Sequence, residues 1–408
     1  MKITHIHIER FRGFQNEDFE VGSLLTAIAG QNGTQKSTLL GIITQTFTLK
    51  TEDSMRVEKP LCGGSYISAF KDKFRLSPTF DKPKGHEWTI SFDAGMDDFT
   101  VESIKRTGDP NVRFWKKGAR QEGDGYISFP TIFLSLKRLV PVAEEAKIIT
   151  DDTLLTQEEL NEFKQLHNKI LIAQTPISSA TTITSKNKQS IGVSTELYDW
   201  NQNSMGQDNL GKIILALFSF KRLHDKYPRQ YKGGILAIDE MDATMYPASQ
   251  VELLKVLRKY ASKLNLQILF TTHSMSLLKA MDDLVQEVTK KEETANQAKI
   301  LYLKKVDDKI AIKQGVNFKG IQLDLNVVAE GNNRKKNRIT AYTEDKENIL
   351  FVKAILKSKA FVLDFVDVTL PCSTLMELVT KRVPAFIYPY SIVILDGDVR
   401  MNKNDLRK

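Results

Sequence analysis

The stretch Gly30-Gln31-Asn32-Gly33-Thr34-Gln35-Lys36-Ser37-Thr38 has the residue types and spacing needed to hold a polyphosphate. A glycine-containing loop lets backbone N–H groups wrap phosphate oxygens, and the positive end of the following helix points at them. In this reading Gly30, Asn32, Gly33, Gln35 and Thr38 belong to the loop that cradles ATP. Lys36 reaches the β and γ phosphates, and the Ser37 hydroxyl ligates Mg²⁺. Gln35 departs from the usual pattern G-x-x-x-x-G-K-[ST], which has a second glycine there. If the backbone needs a positive φ at that point, a non-glycine residue costs ~1–3 kcal/mol of strain.

A second element suits the same chemistry. Residues 234–240 (GILAIDE) read as a buried strand that ends in two carboxylates. Asp239 is expected to hold Mg²⁺ through water, and Glu240 to polarise the attacking water in line with the γ-phosphate. Thr272-His273-Ser274 follows another apolar strand, which places His273 as a γ-phosphate contact. Asn203-Ser204-Met205-Gly206-Gln207 opens a helix. Ser204 there is either a simple N-cap or part of an anion grip at the helix N-terminus.

These residues need elements to position them. Residues 2–8 (KITHIHI) alternate as a half-buried strand does, and Leu24–Ala29 form the strand that enters the loop. A helix starts near Lys36. Thr156 and Glu159 make a capping box for another helix, whereas 176–197, rich in Ser and Thr, read as a loop. From about 205 helix and strand alternate, which calls for a parallel sheet with crossovers. After a basic stretch, Asn332–Arg338 (NNRKKNR), the pattern restarts as a small second α/β unit: strand RITAYT, helix KENILFVKAIL, strand FVDVTLP, helix STLMELVT, strand YSIVILD. The division expected is an ATPase domain over 1–315 with an insert at about 50–200, a linker over 316–338, and the second unit over 339–408.

Composition sets the outer limits. The 408 residues are 41% hydrophobic and 26% charged, ordinary for a soluble globular protein with two or three domains. No run reaches the ~18–20 apolar residues of a membrane span, and the charged N-terminus is unlike a signal peptide. Two cysteines, Cys62 and Cys372, without a CxxC pair argue against a disulfide scaffold or zinc site and suit a reducing cytoplasm. A net charge of +8 mildly favours an acidic partner such as nucleic acid. Arg334-Lys335-Lys336 is either a phosphate contact or a solvated linker. The sequence shows no internal repeat and no extended heptads.

Taken together these residues resemble the ABC-type P-loop ATPases of the SMC, RecF and overcoming-lysogenization-defect (OLD) group. Ile8-Glu9-Arg10-Phe11-Arg12-Gly13-Phe14 is similar to that group's first strand and Arg-Gly turn, and 203–207 to its signature motif. Asp242-Ala243-Thr244 stands in the place of its D-loop. The resemblance covers roughly 1–48 and 200–285. It implies an α/β head with a mixed or parallel sheet and a homodimer or higher homo-oligomer that closes face to face on ATP. Ser204, Gly206 and Gln207 would then serve the neighbour's nucleotide.

The second unit is similar to a TOPRIM domain, which places a glutamate after its first strand and Asp-x-Asp after its third. Glu344, Asp396 and Asp398 match those positions, and the resemblance implies a Mg²⁺ or Mn²⁺ site for phosphodiester cleavage. Asp345 replaces the family's glycine and Asn348 a further acid, and the sequence runs only ten residues past Asp398. An abbreviated domain or a longer natural chain is expected. The alternative for these acids is an Asp-Gly turn and an exposed acidic helix start. An ATPase head followed by TOPRIM resembles OLD-family nucleases of anti-phage systems and some retrons. The Gln-Lys-Ser loop is also similar to Septu-type defence ATPases, which act with a separate HNH nuclease. Three functions are therefore expected alternatives: an ATP-gated DNA nuclease, a regulatory ATPase for an HNH nuclease or a retron reverse transcriptase with its msDNA, and a RecF-like repair ATPase.

Overall fold

The computed structural model describes residues 1–66, 73–93, 95–105, 112–119, 124–139, 148–151, 154–173, 175–185, 189–330, 339–388 and 391–396. The chain divides into two compact units, 1–325 and 326–408. Among the described residues no helix is long and apolar enough to cross a membrane.

Strands covered on both faces must be apolar throughout, and Leu25–Gly30, Gly234–Ile238 and Leu266–Thr271 are buried along their whole length. They lie in a six-stranded sheet with the order Lys309–Lys313, Ala298–Val306, Leu25–Gly30, Leu266–Thr271, Gly234–Ile238, Thr131–Leu134. All neighbours run parallel except Lys309–Lys313, which turns back antiparallel at the edge. The fold is α/β with a mixed sheet, as the alternation of strands and helices requires.

Successive side chains of a strand face opposite ways, so the sheet feeds two cores. Leu236, Ile238, Ile268 and Phe270 pack with helices Met205–Lys226, Pro247–Lys263 and Met275–Val288. Ile235, Ala237 and Leu269 pack with helix Lys36–Thr44 and with a second, antiparallel sheet. That sheet has the order Phe14–Glu20, Ile3–Phe11, Glu87–Phe92, Phe99–Lys105, Val112–Lys116. Its first hairpin closes at the Arg-Gly turn, with Phe11 opposite Phe14. Arg12 sits there in the left-handed region (φ 51°) and grips Asp81 at 3.1 and 3.2 Å.

Three expected segments carry structure of their own. Residues 50–200, read as an insert within the ATPase domain, supply three strands of the antiparallel sheet and the edge strand Thr131–Leu134 of the main sheet. The stretch 176–197 is no loop, because Ser179–Thr184 and Gln189–Ser194 form an antiparallel hairpin. Its Ile183, Ile191 and Val193 are buried; Thr, Ile and Val at alternating positions suit a pleated, half-buried surface better than they suit a turn. The linker region 316–338 carries helix Phe318–Glu330. Phe318, Ile321 and Leu325 make one apolar face, with Ile321 fully buried in the core of the first unit. The basic run 332–338 lies outside the described residues.

Helix Gln157–Leu171 begins with the expected Thr156/Glu159 capping box. It buries His167 beside Phe163, ring centroids 5.9 Å apart. Burial pushes the imidazole down to about 4 from the usual 6.5. The folded state thus resists a proton that the unfolded chain accepts. Stability contributed by neutral His167 is complete above pH 6.5 and lost as pH falls toward 4, a difference of ~3 kcal/mol. Thermal unfolding from pH 7 to pH 4 should show a weaker acid slope in His167→Leu than in the wild type. Parallel slopes would remove His167 as the cause.

The second unit has a three-stranded parallel sheet ordered Leu363–Phe365, Ile339–Thr343, Ser391–Ile394, with helices Lys346–Leu356 and Cys372–Thr380. The strand expected at FVDVTLP is displaced toward the N-terminus: residues 363–365 pair, and beyond them the Val366 N–H donates to the Ala341 carbonyl at 3.0 Å.

Candidate functional site

Parallel strands deliver their C-terminal ends to one rim, where open α/β sheets bind ligands. Leu25–Gly30, Leu266–Thr271, Gly234–Ile238 and Thr131–Leu134 all end there, with Ile28 opposite Thr271, Phe270 opposite Ile238 and Ile238 opposite Leu134. Residues remote in sequence are thereby gathered around the loop 30–38.

The loop has the shape its residues implied. Gly30 adopts φ 149°, and a Cβ there would meet the Leu303 carbonyl oxygen at 2.4 Å. Only glycine fits that position. Gln35 takes φ 62°, so the position that lacks the pattern's second glycine is left-handed and carried by a residue with a side chain. Lys36 is 8% exposed, and its ammonium donates to the carbonyls of Gly30 (3.1 Å) and Gln31 (3.0 Å), which hold it over the loop. Burial lowers its pKa, and the charges of Glu240, Asp239 and Asp242 oppose that shift.

Ser37 and Asp239 meet across 202 residues of sequence: the hydroxyl donates to Asp239 Oδ1 at 2.8 Å. Thr271 donates to the same oxygen at 2.7 Å and accepts from the Glu240 N–H at 2.6 Å. Glu240 is held at φ 49°, a strained conformation of the kind found where a turn must aim a side chain. The His273 N–H donates to Asp242 Oδ1 at 3.4 Å. Burial lowers the His273 pKa, and the nearby Lys36 charge lowers it further. A neutral imidazole can both donate and accept, which suits contact with a phosphate oxygen and a water.

Ser204 is the N-cap of helix Met205–Lys226. Its hydroxyl accepts from the Gln207 N–H (3.3 Å), while Gln207 Oε1 accepts from the Ser204 N–H (2.8 Å). Within one subunit the simple capping role is therefore realised, and Ser204 remains exposed at the helix tip. Gly206 packs against the turn after Asp239 and Glu240: a Cβ there would meet the Thr244 carbonyl oxygen at 2.6 Å. Asn32, Gly33 and Thr38 lie in the loop and the first turn of its helix, as expected.

The sequence reading did not single out Thr271, Arg138 or Asp324. Arg138, just past Thr131–Leu134, is 2% exposed. Asp324 accepts from the Tyr302 hydroxyl (2.7 Å) and from Lys304. A buried arginine that follows an apolar strand, and the apolar spacing of 318–325, were the signals available for these.

In the second unit, Glu344 and Asp396 follow the paired strands Ile339–Thr343 and Ser391–Ile394, which run parallel with Thr343 opposite Ile394. Both acids thus stand at one rim, while Asp398 lies outside the described residues. Asp345 caps helix Lys346–Leu356, accepting from the Asn348 N–H at 2.9 Å. Among the described residues no group of three or more His, Cys, Asp or Glu is placed to hold a metal ion.

A parallel-centred sheet that ends on a glycine-containing loop, beside a strand tipped with two acids, has the geometry of a ligand-binding rim in an α/β domain. Residues 135–278, about a third of the chain, match the family model described as an AAA ATPase domain. Among solved structures the chain is similar to the SMC head domain from Thermotoga maritima, with 14% identity and a TM-score of 0.43 over 78% of this chain and 100% of that one. It is also similar to the Smc head domain with an extended coiled coil bound to the C-terminal domain of ScpA, derived from Pyrococcus furiosus. There the identity is 13% and the TM-score 0.43 over 80% and 99% of the two chains. No curated protein matches the chain.

Proposed function

We propose that this ATPase closes as a homodimer on ATP and that closure gates metal-dependent cleavage of DNA by the second unit, in an anti-phage setting. Lys36 and the loop N–H groups hold the phosphates. Glu240 accepts a proton from the attacking water, and His273 steadies the γ-phosphate. Ser37 and Asp239 offer hard oxygen donors side by side, which suit Mg²⁺. Bound there, Mg²⁺ neutralises charge building on the phosphates. The N-terminal tip of helix Met205–Lys226, where Ser204 is exposed, Gln207 half-buried and Gly206 buried beneath them, is the part that would meet a neighbour's nucleotide.

The observation that carries the nuclease reading is the shared rim of Glu344 and Asp396, where Mg²⁺ or Mn²⁺ would be held with Asp398. A second reading, regulation of a separate HNH nuclease, is favoured by Asp345, whose carboxylate is engaged in capping a helix. Incubation of plasmid DNA with the full-length protein and Mg²⁺ or Mn²⁺, with and without ATP, separates them. ATP-dependent cutting that disappears in Asp396→Ala/Asp398→Ala supports the gated nuclease. ATP hydrolysis without any cutting discards it in favour of the regulatory reading.

A further inference from the structure

Arg138 is a buried cation whose hydrogen bonds converge on the acidic turn. Its Nη1 donates to the Asp239 carbonyl oxygen (2.6 Å) and Nη2 to the Glu240 carbonyl oxygen (2.8 Å). Nη1 also reaches the carbonyls of Ser135 (3.1 Å) and Leu134 (3.3 Å), which anchors the guanidinium to its own strand end. Nε donates to Asn209 Oδ1 at 2.7 Å. Asn209 is fully buried on helix Met205–Lys226, and its Nδ2 donates to the D-loop carbonyl of Ala243 at 3.0 Å. Every acceptor named is a neutral oxygen, so among the described residues this charge is buried without a direct ion pair. Burial pushes Arg138 down to about 10, against the pull of Asp239, Glu240 and Asp242.

A buried guanidinium is costly unless its donors are used. What this one fixes is the backbone on both sides of the strained residue. The Glu240 peptide is held at its N–H by Thr271 and at its carbonyl by Arg138, which over-determines a φ of 49° that would otherwise relax. Asn209 completes the chain. It lies one turn beyond Ser204 and Gly206 and bonds the arginine with one end of its amide and the D-loop with the other.

We propose that Arg138 and Asn209 are positioning residues for ATP hydrolysis. They aim the Glu240 carboxylate and tie its orientation to the helix that begins at Ser204. The proposal rests on the ATPase reading of the site. Neither residue is placed to touch ATP, so their loss should affect turnover and leave nucleotide binding nearly intact. A misaimed base by itself costs ~10²-fold in rate.

The test compares wild type, Asn209→Ala, Asn209→Asp, Arg138→Lys and Arg138→Met for kcat and KM in ATP hydrolysis. Fluorescent-ATP affinity and thermal unfolding are measured on the same proteins. Asn209→Asp keeps an acceptor for Arg138 and loses the donor to Ala243. Arg138→Lys keeps the charge and loses the fork that reaches two consecutive carbonyls. The expected result is a fall in kcat of ~10-fold or more for Asn209→Ala and Arg138→Met, partial recovery in the two conservative variants, and ATP affinity close to wild type. A kcat unchanged in the folded variants would overturn the proposal. So would a loss of affinity and thermal stability in step with turnover, since that is what a purely structural role produces. Failure of the wild type to hydrolyse ATP would instead reject the ATPase reading itself.

Discussion

Glu240→Gln is expected to bind ATP as the wild type does and to hydrolyse it ~10²-fold or more slowly. Glutamine has nearly the same shape and keeps an oxygen to orient water, but it cannot take a proton at neutral pH. The backbone frame does not depend on the carboxylate. Thr271 holds the Glu240 N–H and Arg138 its carbonyl, so the substitution leaves the turn in place. Asp239, with its Ser37 and Thr271 partners, is also untouched. Phosphate release gives the rate, and fluorescent-ATP titration shows whether binding persists. If dimer closure accompanies ATP binding, the same variant should accumulate as a dimer by size exclusion with ATP and Mg²⁺. Wild-type turnover in this variant would take Glu240 out of the role of base.

Lys36→Ala should weaken ATP binding by ~10²-fold or more, because a buried charge-assisted contact to phosphate is worth several kcal/mol. Lys36 is 8% exposed, and its charge feels those of Asp239, Glu240 and Asp242. It therefore also offsets carboxylates that would otherwise repel the polyphosphate. Fold loss is not expected to explain the effect. Lys36 bonds only loop carbonyls, and the helix it opens is anchored by Leu39, Leu40, Ile42 and Ile43, all fully buried. Calorimetric or fluorescent titration with ATP, beside a melting curve, separates the two causes. Normal affinity in Lys36→Ala would refute the assignment of the loop.

Much of the site was legible because its signals are local. The loop 30–38, the apolar strand that ends in Asp239 and Glu240, and the serine cap at 204 each need only a short window of sequence. The pattern marked Gln35 as the one position that lacks its glycine and left open whether the backbone there takes a positive φ; it does. Long-range pairing was less legible. The hairpin 179–194 looked like a loop because Ser and Thr dominate its composition, yet its buried Ile and Val face the underside of a helix. Residues 50–200 looked like an insert because their strands pair with partners far away, as Glu87–Phe92 pairs with Ile3–Phe11. Helix Phe318–Glu330 was hidden by the polar run that follows it.

By itself, the sequence determined that this chain has a glycine-containing loop between strand and helix, an acidic strand end and two α/β segments, since glycine geometry, capping and hydrophobic period act over a few residues. Only the tertiary structure decided which groups meet: Ser37 with Asp239, Thr271 with the Glu240 peptide, Arg138 with the carbonyls of Asp239 and Glu240, Gly206 with Thr244. Those meetings depend on sheet order and register. No local propensity encodes them, because burying two cores against one sheet is a property of the whole chain.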